Sequence, residues 1–239
     1  MSDLNVAIIG ASGGIGSALT TIFSEDPSTT VWAFSRSEIN SESANVHNLF
    51  LDLADENSIR SAAEVASKNG PLNVVVVASG MLHDSDVRPE KSLRDLSPGN
   101  FEKVFLSNTI GPALVAKHFL PKLERKKRAV FAALSARVGS ISDNRLGGWY
   151  AYRASKSALN MLIRTASIEV ARQNRLSVVV GLHPGTVDTH LSGPFQAGVP
   201  EGKLFSADYS ARKLIDVMEG LTAKDSGKVF AWDGQEIPA

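Results

Sequence analysis

Tyr152 and Lys156 stand four residues apart in the stretch from Trp149 to Asn160, Trp-Tyr-Ala-Tyr-Arg-Ala-Ser-Lys-Ser-Ala-Leu-Asn. The stretch reads as the start of a long helix. A spacing of four is just over one turn, so phenol and ammonium share a face. A cation beside a phenol favours the ionised oxygen and draws its pKa down from ~10 toward working pH. A phenol tuned in this way can act as general acid or base for a substrate oxygen. The same spacing suits an amphipathic helix whose Tyr packs and whose Lys is solvated, so the pair takes its weight from what accompanies it.

A second suggestive stretch is the turn from Gly10 to Gly16, Gly-Ala-Ser-Gly-Gly-Ile-Gly. Its spacing is G-x-x-x-G-x-G, not the G-x-G-x-x-G of the usual dinucleotide fingerprint. The physics is similar: glycines let the backbone approach a pyrophosphate, and the following helix offers free N–H groups and a positive dipole end. Gly10, Ser12, Gly14, Ile15 and Gly16 are the candidate contacts. A glycine hinge without a ligand is the alternative, and the turn's place after the first strand argues against it. Ser35 and Arg36 close the second strand, where an NAD-preferring fold usually carries an acidic residue. An arginine there can pair with a 2′-phosphate, which favours NADP(H) over NAD(H). Arg36 could equally be an exposed loop residue. Asp52, after the third strand, could accept from an adenine amino group or cap the next turn.

These residues need a scaffold, and the chain alternates β-like and helical patterns. Strands are expected at Leu4–Ile9, Thr30–Phe34, Val46–Leu51, Leu72–Ala78, Ala129–Leu134, Leu176–Leu182 and Lys228–Trp232. Helices are expected at Ile15–Phe23, Asp55–Lys68, Ser97–Leu123, Tyr150–Gln173 and Ala207–Gly220, with Gly111-Pro112 bending or breaking the third. Four consecutive valines from Val74 suit a strand buried on both faces. Alternation of this kind implies an α/β fold of Rossmann type, one domain over 1–239 with a doubly wound parallel sheet and helices on both faces. The connection 188–206, with Gly193, Pro194, Gly198 and Pro200, is long enough to be a substrate lid, with Leu191, Phe195 and Val199 as apolar contacts.

Composition removes several classes. The 25 Lys plus Arg balance 25 Asp plus Glu, so no net field favours nucleic acid or an anionic membrane. The run Arg125–Arg128 reads as a helix end and loop before a strand. Cysteine is absent, which excludes disulfides, thiol catalysis and cysteine-ligated metal. The five histidines show no metal spacing, so no metal is expected, and His183 and His190 suit structural or substrate contacts. No apolar run approaches the ~20 residues of a membrane span. Without a signal peptide pattern, a cytoplasmic protein is the expectation.

Taken in order, the motifs resemble the short-chain dehydrogenase/reductase family over nearly the full length, and most of all its C-factor-like and carbonyl-reductase-like members. The resemblance rests on Gly10, Gly14 and Gly16; Asp52-Leu53; Asn108 to Gly111; Tyr152 with Lys156; and Pro184-Gly185 with Val187 and Thr189. It implies an NADP-dependent oxidoreductase moving hydride between nicotinamide and a carbonyl or alcohol of a small or medium apolar substrate. In the family the phenol matching Tyr152 protonates the carbonyl oxygen, the amine matching Lys156 lowers that phenol's pKa and holds the nicotinamide ribose, and the amide matching Asn108 keeps a water linked to the lysine. Val187 and Thr189 are expected at the nicotinamide carboxamide. Homodimers or homotetramers, commonly formed through the two long helices, are also implied.

Two departures stand out. Val77-Ala78-Ser79-Gly80 replaces the family's Asn-Asn-Ala-Gly, leaving Ser79 and Gly80 to line the adenosine ribose. The catalytic serine usually lies three residues before a glycine, but counting back from Gly139 gives Ala136, with Ser135 one earlier. Ser135 is the expected replacement, with Ser140 or a backbone N–H as alternatives. A cofactor-binding regulatory protein with little turnover stays open for this reason. A nucleotide-sugar epimerase or dehydratase fits less well, since little chain follows the last strand.

Overall fold

The apolar runs assemble into one parallel sheet. The computed structural model describes residues 4–39, 41 and 43–239. Strand β1 (Asn5–Ile9) leads into α1 (Gly14–Ser24), and β2 (Thr30–Ser35) into β3 (Val46–Phe50) and α2 (Glu56–Ala66). Next come β4 (Val74–Val77), α3 (Pro98–Phe105), α4 (Gly111–Phe119) and β5 (Ala129–Leu134). The chain continues through α5 (Tyr150–Ala171), β6 (Ser177–His183), the short β7 (Thr186–Val187) and β8 (Leu204–Phe205), α6 (Ala207–Gly220) and β9 (Val229–Ala231). The sheet runs β3-β2-β1-β4-β5-β6-β9 with every pairing parallel. Strand order reverses between β1 and β4, and in such sheets the crevice at the carboxyl ends of those strands binds ligands.

Period-two alternation divides the core into two layers. Ala7, Ile9, Val75, Val77 and Phe131 face Ile59 of α2, Val115 and Phe119 of α4, and Leu159 and Ile163 of α5. Val6, Ile8, Val76, Val130 and Ala132 face Leu19 of α1 and Ala211, Leu214 and Met218 of α6. The valine run thus serves both layers in turn. Arg128, from the basic run, donates to the Met218 and Leu221 carbonyls at the end of α6, where cations complement the helix dipole.

The helical region over Ser97–Leu123, expected to bend or break at Gly111-Pro112, is divided just before that pair. Ser97 caps α3 through its side chain, and Leu106–Ile110 then winds as a π-turn before α4 begins at Gly111. Pro112 has no N–H for the carbonyl four residues back, and its ring would crowd that carbonyl; a wider turn relieves both. Gly111 is needed here because a Cβ would meet Leu53 Cβ at 2.7 Å. The 188–206 connection is also more ordered than an irregular loop. β7 pairs with β8, and a 3-10 turn occupies Gly193–Gly198.

Candidate active site

The first turn of α1 has no side-chain cap, so its N–H groups are left without an intrahelical partner beside the β1/β4 crevice. Gly13, Gly14 and Ile15 line one side of a cleft of about 270 Å³ there. Ala78, Ser79 and Gly80 after β4, and Leu134 and Ser135 at the end of β5, line another. Tyr152 and Lys156 of α5 close the cleft together with Pro184, Thr189, His190 and Leu191. A Cβ on Gly80 would sit 3.7 Å from Lys156 Nζ and 3.8 Å from Asn108 Oδ1, so both groups border the space above Gly80.

Lys156 is 3% exposed, and its ammonium donates to the Leu134 carbonyl at 2.7 Å. Nζ lies 5.8 Å from the centre of the Tyr152 ring. Burial pulls Lys156 down to about 8 and pushes Tyr152 up to about 12. This corrects the expectation that Lys156 lowers the phenol: the ammonium is aimed at a backbone carbonyl, and burial is what sets the direction at Tyr152. Because the folded pKa of Lys156 lies below its ordinary 10.5, the folded chain binds fewer protons than the unfolded chain between about pH 8 and about pH 10. Stability therefore rises with pH across that window, and near neutral pH the buried charge costs ~3 kcal/mol. Lys156→Met is expected to melt at or above the wild-type temperature near neutral pH, with its advantage shrinking as pH climbs. Thermal melts across the window check this; a variant less stable near pH 7 contradicts it.

Asn108 sits inside the π-turn and is fully buried. Its Nδ2 donates to Met81 O at 2.8 Å and to Ser155 Oγ at 3.1 Å, while Met81 N donates to Oδ1 at 2.7 Å. Thr109 Oγ1 donates to Ser155 O at 2.9 Å. The π-turn thus fastens the β4 loop to α5 one residue before Lys156. Gly139 permits the opposite wall to close in, since a Cβ there would meet Lys156 Cβ at 2.8 Å.

Ser135 lines the cleft, but its hydroxyl donates to Asn160 Oδ1 at 2.6 Å. Its lone pairs stay available as acceptors; donation to a substrate requires breaking that bond. Ser140 accepts from Asp143 N at 3.1 Å and is not among the cleft's lining residues. Trp149 stacks edge-on with Tyr152 at 6.2 Å and with Phe195 at 5.0 Å, but does not itself line the cleft. Its φ of 52° places a bulky residue in the left-handed region, at a cost of roughly 1–2 kcal/mol.

Among the residues expected to hold a cofactor, Gly14, Ile15, Ser79, Gly80, Pro184 and Thr189 line this cleft. Gly10 and Gly16 shape its turn without lining it; Ser12, Gly185 and Val187 also fall outside the lining. A Cβ on Gly16 would meet Gly10 C at 2.9 Å and Ala11 Cα at 3.0 Å. Ser35 and Arg36 border a separate shallow hollow of about 190 Å³ with Glu38, Asn48 and Phe50. The two regions are linked, because Gly10 N and Ala11 N both donate to Phe34 O. Asp52 Oδ1 accepts from Ala54 N at 3.0 Å, the turn-capping alternative, and Leu53 packs on the core. His83 has no sequence signal at all. Its Nε2 is 3.2 Å from the carbonyls of His190 and Leu191, and its ring meets His190 at 5.4 Å and Phe195 at 5.7 Å.

The residues present fit a nicotinamide dinucleotide. The uncapped α1 terminus suits its pyrophosphate. The Ser79 hydroxyl, buried without a partner among the described residues, is a donor and acceptor for a ribose hydroxyl, and the buried Lys156 ammonium offers further donors. Among the described residues no His, Asp and Glu cluster could hold a metal ion, and no helix is long and apolar enough to cross a membrane.

Comparison with known proteins agrees with this geometry. Residues 4–199 match the family described as short chain dehydrogenase. The chain is 35% identical over 147 residues to the C-signal of Myxococcus xanthus, covering 62% of this chain and 83% of that protein. It is 26% identical over 250 residues to an uncharacterized oxidoreductase of Schizosaccharomyces pombe, covering 97% and 96%. The NADPH-bound carbonyl reductase from chicken fatty liver superposes with a TM-score of 0.85 at 25% identity over the whole of both chains.

Proposed function

Because the chain belongs to the short-chain dehydrogenase family, we propose that it is an NADP-dependent carbonyl reductase acting on a small or medium apolar ketone, aldehyde or quinone. One observation carries the reading: Tyr152 and Lys156 share a single cleft with the uncapped, glycine-rich start of α1. The likeness to an NADPH-bound carbonyl reductase along its whole length supports it.

A bound nicotinamide would supply the hydride. Tyr152, protonated at working pH because burial holds it near about 12, gives its proton to the substrate oxygen as negative charge develops there. Stabilising that oxygen with an aimed donor in a water-poor cleft is where such sites gain most. Lys156, which donates to the Leu134 carbonyl and borders the space above Gly80, uses its remaining N–H donors to anchor the cofactor's ribose. Asn108 holds the β4 loop against α5 and so fixes the distance between Lys156 and the cleft floor. Ser135 accepts at the substrate alcohol or, released by Asn160, donates to its oxygen. Thr189 and Pro184 border the nicotinamide end, with Val187 behind them. Residues 1–239 act as one domain in which 188–206 is the substrate lid, latched through His83. Pairing of copies across the α3–α4 region and α5 gives the homodimer or homotetramer that the family resemblance implies.

Arg36 sets the cofactor preference by pairing with the 2′-phosphate. Arg36→Ala is expected to raise the KM for NADPH about tenfold or more, the size of one charge-assisted contact, with little change for NADH. Equal losses for both cofactors would contradict this. The function itself is tested by NADPH consumption against a panel of ketones, aldehydes and quinones, and no turnover with any of them would overturn it. A second reading, a cofactor-binding regulatory protein, is favoured by Ala136 at the usual serine position and by the likeness to C-signal. It expects tight NADPH binding with no turnover.

A further inference from the structure

Two side chains able to carry charge are fully buried among the described residues, Lys156 and Glu90, each 3% exposed. Lys156 belongs to the cleft. Glu90 lies on the loop between β4 and α3, and both of its polar ends meet the start of α5. Its backbone carbonyl accepts from Trp149 N at 2.5 Å, and its Oε2 accepts from Ala151 N at 3.2 Å. Val87, three residues earlier on the same loop, packs with Ala151 and Val104 in a small apolar cluster.

The start of α5 needs this help. Its N-cap position is Trp149, which offers no side-chain acceptor, so the first-turn N–H groups have no local partner. The approach is also unusual. Gly147, Gly148 and Trp149 follow one another with φ of 64°, 65° and 52°. Arg153 holds this left-handed run from the helix side, its Nε donating to Gly147 O at 3.1 Å and Gly148 O at 3.0 Å. A Ser or Asp at position 149 would cap the helix but would not place an indole over Tyr152. The chain keeps the indole and brings the acceptor from another segment.

We propose that Glu90 is a positioning residue for the active site: it caps α5 from outside and fixes Trp149 in its left-handed conformation, which sets the Tyr152 phenol one residue beyond Ala151. It touches no reacting atom and acts through the helix. The proposal rests on the reading of Tyr152 as the proton donor.

Amide hydrogen exchange in the ligand-free protein, read beside steady-state kinetics, tests it. In wild type, the Trp149 and Ala151 amides exchange slowly, like helix-interior amides, although the first turn of an unsupported helix exchanges freely. Glu90→Leu raises exchange at 149–153 while the rest of the chain keeps its protection. It lowers kcat at least about tenfold, since small misplacements of a catalytic group are costly, and leaves NADPH affinity within about twofold. Glu90→Gln keeps a side-chain oxygen acceptor and recovers most of both. Fast wild-type exchange at Trp149 and Ala151, which is readable even if a variant does not fold, overturns the proposal. So does Glu90→Leu with wild-type kcat, or with kcat loss and no local change in exchange. If wild type turns over no carbonyl, the reductase reading fails while the exchange data still judge the cap.

Discussion

Tyr152→Phe loses about 10³ in kcat, in the range expected when a general acid is removed, and still binds NADPH within about twofold of wild type. The substitution deletes one oxygen. Among the described residues the Tyr152 hydroxyl makes no hydrogen bond that Phe would break, and the edge-on packing with Trp149 at 6.2 Å survives. The cofactor contacts proposed at the α1 turn and Lys156 lie on other atoms. A reduction that merely holds substrate near cofactor would lose little, so the split between kcat and binding is the diagnostic. Stopped-flow turnover and fluorescence titration on the same sample measure both. Retained turnover would remove Tyr152 from the mechanism.

Gly16→Ala is expected to be the most damaging small change in the chain. An added Cβ meets the carbonyl of Gly10 and comes within 2.9 Å of Gly10 C and 3.0 Å of Ala11 Cα. Every one of these neighbours is backbone in the turn that β2 already grips through Phe34 O, so no side chain can rotate aside. Overpacking of this kind costs ~1–3 kcal/mol, and the relief available is to move the α1 terminus. The expected outcome is a lower melting temperature together with a loss of roughly 100-fold in NADPH affinity, because the displaced N–H groups no longer converge on a phosphate. Gly14→Ala provides the comparison: its closest neighbour is Thr189 Cγ2 at 2.6 Å, the end of a side chain that can turn, so stability should suffer less. Equal effects of the two substitutions would show that the turn is more pliant than its geometry implies.

The parts of this fold that announce themselves in the sequence are those set by local pattern. The valine run, the glycine turn and the α5 stretch each require one kind of element, and each is where its pattern places it. The π-turn at Leu106–Ile110 was less legible. Gly111-Pro112 signals a disturbance, but whether a helix breaks, kinks or widens depends on what packs beside it, here Leu53, Met81 and Ser155. Spacing likewise placed Tyr152 and Lys156 on one face without revealing that the ammonium turns to Leu134 O, 22 residues away in sequence. Burial, which a spacing does not show either, then sets the direction of the phenol's pKa. Glu90 and His83 were invisible for a simpler reason. Each acts on a partner about 60 or more residues distant through an ordinary loop residue type, and a single sequence carries no mark of such pairs. Ser135 shows the remaining limit: counting from Gly139 locates the departure, while its consequence depends on Asn160 across the interface with α5.

The reaction proposed for the cleft that Tyr152 and Lys156 share with the α1 turn is hydride transfer to a carbonyl. Its most direct test uses NADPH deuterated at the transferring position, with a ketone or quinone substrate and the product followed by mass spectrometry. One deuterium is expected in the product alcohol for each cofactor consumed, on a single face of the carbon, with Tyr152→Phe forming that labelled product about 10³-fold more slowly. A tight NADPH complex that leaves every carbonyl unlabelled would contradict it and move the chain to the regulatory reading.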